Sequence, residues 1–463
     1  MSAGVLWILL PLVIALLLLL LNNTHRVSMV VGAVIISAIV VTILVFKIDH
    51  NYIIGSTLIR IEPVFSVLGR NIVIDNADRV ILLFLYGLSA IYIWLGVFLD
   101  HTPTFAPYSI AIAALLTASL AVESRLFFIL FVELAVLLCL PLLVKKNNKK
   151  ERGEHFLLIF ITLSMPLLLM AGWAADSVAA NPIDTEMIDR TVVFLILGYS
   201  MMIGVFPFFL WMPQISEESR PVRANFVLSI LSFAFLYLLY SVGDAGGWLR
   251  SDEVLLHWLQ IMGYIMIVVG GIWSAFQNDL GRFFAFGLII DNGFAFLAMP
   301  SALSGQPESL YLLLAIRLVV YFSFSLPSSS LYNRKINLTI EGIRGKFLQF
   351  PFAFILLFLS IFSFNGLPLM ANFTVRFSIL QKDLTDQGVQ SVIWPLIGQL
   401  GFFLGALRFL GSAVQAKEVD ESQMDETWLE RGVYFVGILL LLLIGFLPSF
   451  TGEWLLSIWS GFG

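Results

Sequence analysis

The chain has 463 residues, of which 59% are hydrophobic and only 12% are charged. A soluble protein of this length needs a far more polar surface, so the composition excludes a soluble globular protein and indicates a polytopic α-helical membrane protein. The formal net charge of −5 gives no reason to expect a nucleic-acid partner.

Apolar runs long enough to cross a bilayer recur along the whole chain, since a spanning helix needs about 20 such residues. They predict fourteen crossings, at residues 5–22, 27–47, 80–99, 104–122, 126–144, 155–175, 191–213, 223–242, 256–276, 280–299, 307–331, 348–381, 390–412 and 433–459. We expect no soluble domain, because the longest stretches outside these runs are residues 48–79 and 413–432.

The loops between the runs predict the orientation. The loop "KKNNKKERGEH" after the fifth segment and the loop that contains Arg334, Lys335, Arg344 and Lys346 are basic, whereas loops on the other side carry fewer Lys and Arg residues. The positive-inside rule therefore predicts a multi-pass protein of the cell inner membrane with both termini outside. The first run lacks a basic leader, so we interpret it as a retained helix and not as a cleaved signal.

Four charged residues stand well inside predicted segments: Glu133, Asp291, Arg317 and Arg376. Each costs about 2.5–3.5 kcal/mol on insertion scales, so such residues are candidates for function. The alternative for any one of them is structural, for example a protonated carboxyl group in the core. Two acids and two cations together favour a proton or ion pathway.

Two segments contain backbone breakers. Pro207 and Pro213 lie in "GVFPFFLWMP", and Gly366 and Pro368 lie in "FSFNGLPLMANFTVRF". Proline removes a helical hydrogen bond, so we expect both helices to be broken at these four residues. Transporters use broken helices to present backbone dipoles to ions.

No metal or cofactor is expected in this chain. Cys139 is the single cysteine, and the five histidines show no metal-ligand spacing. The sequence contains no nucleotide-binding, haem, iron–sulfur or flavin signature. We therefore do not expect the chain to catalyse a redox reaction by itself, and whether it is a subunit of an ion-translocating oxidoreductase is left open.

Several motifs resemble those of the antiporter-like subunits of respiratory complex I, Mrp-type cation/proton antiporters and membrane-bound hydrogenases. "FVEL", which contains Glu133, resembles the glutamate site of helix 5 in that family. "FPFFLWMPQISEESRPVRANFVLSIL", "DLGRFFAFGLIIDNGFAFLAM" and "NGLPLMANFTVRF" are similar to the motifs of its helices 7–8, 10 and 12.

The resemblance implies fourteen helices, with two five-helix repeats of inverted topology in which helices 7 and 12 are broken. It divides the chain into three N-terminal helices (residues 1–103), a first repeat (104–242), a second repeat (256–412) and a C-terminal helix (433–463). It also implies other membrane subunits as partners, within the lipid bilayer.

The chain departs from the family at the residues that carry protons. Met202 stands at the position of the helix 7 lysine that faces the helix 5 glutamate, and Ser232, Phe233 and Ala234 stand near the helix 8 site. Asp291 replaces the helix 10 histidine, and Arg376 replaces the helix 12 lysine. A buried lysine can release its proton, whereas an arginine cannot.

These departures leave three readings. The chain is a proton- or cation-translocating subunit with a partly degenerate relay, a non-pumping structural or assembly paralogue, or an unrelated secondary transporter. Glu133 lacks its usual partner, so we expect it to pair with Arg220 or Arg223 from the following loop, or else to be protonated. We expect Asp291 to pair with Arg317 or Arg376, since an unpaired charge is costly at that depth.

Overall fold

The computed structural model describes residues 2–20, 25–48, 51–54, 57–67, 70–100, 102–123, 128–144, 152–180, 185–245, 247–415 and 424–460. Within these ranges, ten helices have the length and apolarity needed to cross a membrane, and four shorter apolar helices accompany them. They correspond one for one to the fourteen predicted segments. The fold is therefore an all-α bundle of a multi-pass integral membrane protein, in which helices satisfy the backbone internally.

The helices follow the apolar runs in chain order. They are α1 (Leu10–Leu20, after a π-helical turn at Val5–Leu9), α2 (His25–Val45), α3 (Arg79–Leu99), α4 (Phe105–Ala121), α5 (Phe128–Leu143), α6 (Arg152–Ala180), α7 (Thr185–Ile203), α8 (Trp211–Glu218), α9 (Pro221–Ala245), α10 (Glu253–Ala275), α11 (Leu280–Leu303), α12 (Glu308–Asn333), α13 (Pro351–Asn365), α14 (Phe373–Gln387), α15 (Val389–Val414), α16 (Trp428–Phe446) and α17 (Pro448–Ser460). We call the side of the bundle where α5 ends and α6 begins the basic side.

Both predicted helix breaks are present. The seventh crossing is split into α7 and α8, with Pro207 and a 3₁₀ turn at Phe208–Leu210 between them. The twelfth is split into α13 and α14, and Pro368 lies in the connection. Gly366 caps α13 with φ +67°, in the left-handed region that favours glycine.

Pro213 was wrongly predicted to lie in the first break. It is the third residue of α8, beyond the break. The first turn of a helix tolerates proline because its N–H groups have no partner within the helix. The interruption therefore comes from the segment between Ile203 and Trp211.

The last predicted segment is also corrected, because residues 433–459 do not form one helix. α16 ends at Phe446 and α17 begins at Pro448, a residue that favours the first turn of a new helix. The Trp459 ring of α17 stacks on Tyr311 of α12 with centroids 4.0 Å apart and contacts Phe84 of α3. α17 therefore covers helix ends on the side opposite the basic side.

Two antiparallel hairpins between α2 and α3 were not predicted. β1 (Asn51–Ile54) pairs with β2 (Thr57–Arg60), and β3 (Val64–Val67) pairs with β4 (Arg70–Val73). A bridge between Ile72 and Val122 joins β4 to the end of α4. Strands of four residues contain too few alternations to stand out in a loop sequence.

Candidate proton-transfer site

A cluster of charges lies in the core of the second half of the bundle, where α11, α12 and α14 meet. Arg376 Nη2 donates a hydrogen bond of 2.9 Å to Asp291 Oδ1, and Arg317 Nε lies 3.2 Å from Asp291 Oδ2. Tyr321 donates from its hydroxyl group to the same Oδ2 at 2.8 Å. The side chains of Asp291 and Arg317 are 0% exposed and that of Arg376 is 2% exposed, so water does not screen these attractions. Asp291 thus pairs with both arginines.

Polar residues extend the cluster towards α9. Arg317 Nη2 donates to Ser232 Oγ at 2.8 Å and to Asn292 Oδ1 at 2.6 Å. Ser232 in turn donates to Asn292 Oδ1 at 2.6 Å. Ser232 is one of the three residues near which the resemblance puts a helix 8 lysine or histidine, so a hydroxyl group stands in this region of α9.

Aromatic rings enclose the cluster. The ring of Phe294 lies 4.4 Å from Arg376 Cζ, in cation–π contact. The Tyr321 and Phe364 rings stack with centroids 5.2 Å apart, and Phe284 packs against both. This packing fixes Tyr321 beside the carboxylate and keeps the surroundings of the ion pairs apolar.

The chemistry of the cluster differs from that of a lysine relay. Arg317 and Arg376 hold their protons at any pH that a protein experiences, so they supply fixed positive charge. Asp291 is the carboxylate of this cluster, and the Tyr321 hydroxyl group, which donates to it and accepts from Arg317, is the neutral hydrogen-bonding group beside it. Tyr321 was not predicted from the sequence, although its position four residues after Arg317 puts both on one helix face.

A polar pocket of about 110 Å³ lies beyond the cluster, between α10, α11, α12 and α14, on the side opposite the basic side. Ser309, Ser378, Lys382 and Asp383 are among its lining residues. Asp383 follows Arg376 by two helical turns of α14 and accepts a hydrogen bond of 2.8 Å from Tyr264. The same helix therefore joins the buried cluster to a polar opening.

Glu133 lies apart from this cluster, at the edge of the bundle on α5. Thr162 of α6 donates to Glu133 Oε1 at 2.6 Å, and Oε2 is buried without a hydrogen-bond partner among the described residues. Glu133 is half-buried, and Leu130, Leu134 and Leu137 of the same helix are exposed around it. α5 therefore presents an apolar outer face with one carboxyl group at its margin.

The arginines that were expected to reach Glu133 bind another acid, which corrects that expectation. Arg220 Nη1 lies 2.7 Å from Asp100 Oδ1, and Arg223 Nε lies 2.5 Å from Asp100 Oδ2. Burial acts to raise the pKa of Asp100, but the hydrogen bonds and charges of the two arginines outweigh burial and lower it. They are drawn to Asp100 because it ends α3 on the basic side, where α9 begins.

The first half of the bundle has no counterpart of the arginine cluster in its described residues. Met202 is fully buried on α7, one residue before the helix ends, and none of the described cations pairs with Glu133. Arg376 lies beyond its break, on α14, whereas Met202 lies before its break. Each half thus contains its own broken helix. Among the described residues, Arg376 stands beside the break in the second half, whereas the uncharged Met202 stands beside the break in the first half.

Fold and site define a multi-pass membrane protein with charges buried next to a broken helix. The family model described as the transmembrane part of the NADH:quinone oxidoreductase/Mrp antiporter family matches residues 123–400. This is more than half of the chain, so the chain belongs to that family.

Individual proteins resemble this chain in sequence or in fold. NADH-quinone oxidoreductase subunit N of Chromohalobacter salexigens is 26% identical over 277 residues, which are 56% of this chain and 56% of that protein. The chain thus spans little more than half the length of this curated relative. A chain of respiratory complex I from Thermus thermophilus has a TM-score of 0.77 at 19% identity, with 99% of this chain and 98% of that chain covered. A chain of the Mrp complex from Dietzia sp. has a TM-score of 0.77 at 12% identity, with 97% and 95% covered. The two structures share the fold.

Proposed function

We propose that this chain is a proton-translocating, antiporter-like subunit of a multi-subunit membrane complex related to complex I. The proposal rests on the burial and pairing of Asp291. This residue is completely buried and is held by two arginines next to the broken twelfth crossing. Family membership and fold support the same conclusion. In this proposal the chain sits in the cell inner membrane with both termini outside, and residues 104–242 and 256–412 are its two inverted repeats.

The proposed mechanism places the transferred proton on Asp291. With Asp291 ionised, both arginines are attracted to it and the cluster is closed. Protonation removes that attraction, which frees Arg376 to move with α14, because the break at Gly366 uncouples this helix from α13. Loss of the proton restores the pairs. The fixed charges of the arginines thus drive the return step, whereas in the family a lysine carries the proton.

The polar side chains around Asp291 support a path for that proton. Tyr321 donates to the carboxylate, and Arg317 donates to Tyr321, Ser232 and Asn292, so polar side chains line the way from Asp291 towards α9. In the other direction, the polar pocket that contains Asp383 provides an outlet, and it faces the outside in the orientation that the positive-inside rule predicts.

Glu133 supports a contact with a neighbouring subunit. A half-buried carboxyl group at the margin of an exposed apolar helix face is costly against lipid and is better placed against a partner protein. We propose that the face of α5 carrying Leu130, Leu134 and Leu137 packs against another membrane subunit of the complex.

The second candidate function is that of a non-pumping paralogue, and Met202 favours it, because the described residues of the first half supply no cation that would operate Glu133. The test compares Asp291→Asn and Asp291→Glu in the complex that co-purifies with the tagged full-length chain. Asp244→Asn, which alters a surface pair with Arg250, is the control. Proton translocation in proteoliposomes should fall at least about tenfold for Asp291→Asn and partly return for Asp291→Glu. Normal translocation by an assembled Asp291→Asn complex would instead establish the structural role.

A further inference from the structure

The outer part of α14 carries a second buried carboxyl group. Asp383 lies seven residues after Arg376 on this helix and is only 4% exposed. None of the ion pairs among the described residues includes it. A buried negative charge without a paired cation is costly, so this carboxyl group is a candidate for binding a proton.

A hydroxyl group on α10 holds one oxygen of this carboxyl group. Tyr264 donates to Asp383 Oδ2 at 2.8 Å, and one helical turn further out Gln387 of α14 donates to Gln260 of α10. Asp383 Oδ1 accepts no hydrogen bond from the described residues. One oxygen of the group therefore remains free to take up a proton.

Asp383 lines the polar pocket on the side opposite the basic side. The volume of this pocket, about 110 Å³, exceeds the roughly 30 Å³ of one water molecule. Its exposed lining residues include Ser304 and Asp386, so it is open to the solution. Asp386 and Lys382 are its other charged groups, and α11 and α12 contribute only serine and apolar side chains to it. A proton on Asp383 can therefore exchange with the solution on this side.

An apolar layer separates this pocket from Asp291. The seven residues from Arg376, which binds Asp291, to Asp383 correspond to a rise of about 10 Å along α14. Within this interval, Phe294 covers the Arg376 guanidinium at 4.4 Å, and the buried Ile379 lies one turn beyond Arg376. Proton transfer needs a hydrogen bond or one bridging water, so the two carboxyl groups are disconnected in this conformation.

We propose that Asp383 is a second proton-binding residue of the pathway, through which Asp291 exchanges its proton with the solution on the side opposite the basic side. This inference rests on the proposed function. When Asp291 is protonated and Arg376 moves with α14, the proton passes from the Asp291 carboxylic acid to the Asp383 carboxylate. Asp291 is then ionised and binds Arg376 again, which closes the apolar layer. Asp383 then releases the proton through the pocket.

The test separates loss of the proton site from loss of the hydrogen bond. Asp383→Asn keeps an oxygen that can accept from Tyr264 but cannot take up a proton, whereas Tyr264→Phe removes the hydrogen bond and keeps the carboxyl group. The complex that co-purifies with the full-length chain is placed in proteoliposomes. Asp383→Asn should lower the rate of proton translocation at least about fivefold, and Asp383→Glu should restore about half of it. Tyr264→Phe should have the smaller effect. Glu253→Gln, which alters an exposed acid at the start of α10, is the control and should leave the rate unchanged.

Three results would overturn the proposal. One is a wild-type rate in Asp383→Asn. Another is a greater loss in Tyr264→Phe than in Asp383→Asn, which would make the contact between α10 and α14 the important feature. The third is failure of the Asp383→Asn complex to assemble, because the carboxyl group would then be structural. If Asp291→Asn stops translocation and Asp383→Asn does not, only this inference fails, whereas normal translocation by Asp291→Asn defeats the proposed function itself.

A second measurement supplies a proton carrier from the solution. Asp383→Ala removes the carboxyl group and enlarges the pocket, so formate can occupy the vacated space. Formate added on the pocket side should raise the translocation rate of this variant at least about threefold and in a saturable manner. The same concentration of chloride should not raise it, and formate should not raise the rate of the wild-type complex. An assembled Asp383→Ala complex that responds equally to formate and chloride would contradict a proton-binding role for Asp383.

Discussion

Removing the Asp291 carboxylate should be among the most damaging single changes to this bundle. The side chain is 0% exposed and is bonded to Arg376 at 2.9 Å, Arg317 at 3.2 Å and Tyr321 at 2.8 Å. Asp291→Ala leaves two guanidinium groups buried without an acid. Breaking one buried pair costs about 3–5 kcal/mol, and the two pairs share one acid, so we expect a total loss at the upper end of that range.

Glu133→Ala is the matched comparison, because it also removes a carboxyl group from a membrane helix. Glu133 is half-buried and accepts one hydrogen bond, from Thr162, so its loss should cost about 1 kcal/mol. Unfolding of the purified protein in mixed micelles, followed by circular dichroism as the denaturing detergent fraction rises, measures both. Equal and small losses for the two variants would refute the electrostatic account of the cluster.

Three further predictions concern the first half and the basic side. Glu133→Gln should leave proton translocation by the assembled complex close to the wild-type rate, because the described residues supply no cation to operate this group; loss of translocation with normal assembly would contradict this. Met202→Lys should create a titrating cation and shift the pH dependence of turnover, whereas an unchanged pH profile would show that the position is silent. Asp100→Asn should abolish a pH-dependent part of the stability. Because the folded pKa of Asp100 is lowered, its contribution is present above the ordinary value of 3.8 and is lost as the pH falls below it, so wild type and variant should converge in acid.

The sequence predicted the crossings well because a bilayer imposes a strict length and polarity on each helix. It predicted the break at Pro368 because proline and glycine act locally on the backbone. It failed at Pro213, since tolerance of a proline depends on where the next helix begins. The hairpins at residues 51–73 were missed because pairing between short strands is decided by contacts that hydropathy does not show.

The charge cluster was partly predictable. The cost of burying Asp291 implied a cation partner, and both arginines provide it. The sequence could not show that Glu133 lies at the edge of the bundle. The helical periodicity of apolar residues does not distinguish a helix face that packs against a partner from one that packs into the core. Nor could it show that Arg220 and Arg223 bind Asp100, which is remote from them in the chain.

Gain and loss of a proton by Asp291 can be observed directly by infrared difference spectroscopy during turnover of the assembled complex. We predict a carbonyl stretching band of a protonated carboxylic acid that appears and disappears with turnover, shifts on specific isotope labelling of aspartate, changes frequency in Asp291→Glu and persists in Glu133→Gln. A band that is unchanged in Asp291→Glu but lost in Glu133→Gln would contradict the account and place the working carboxyl group on α5.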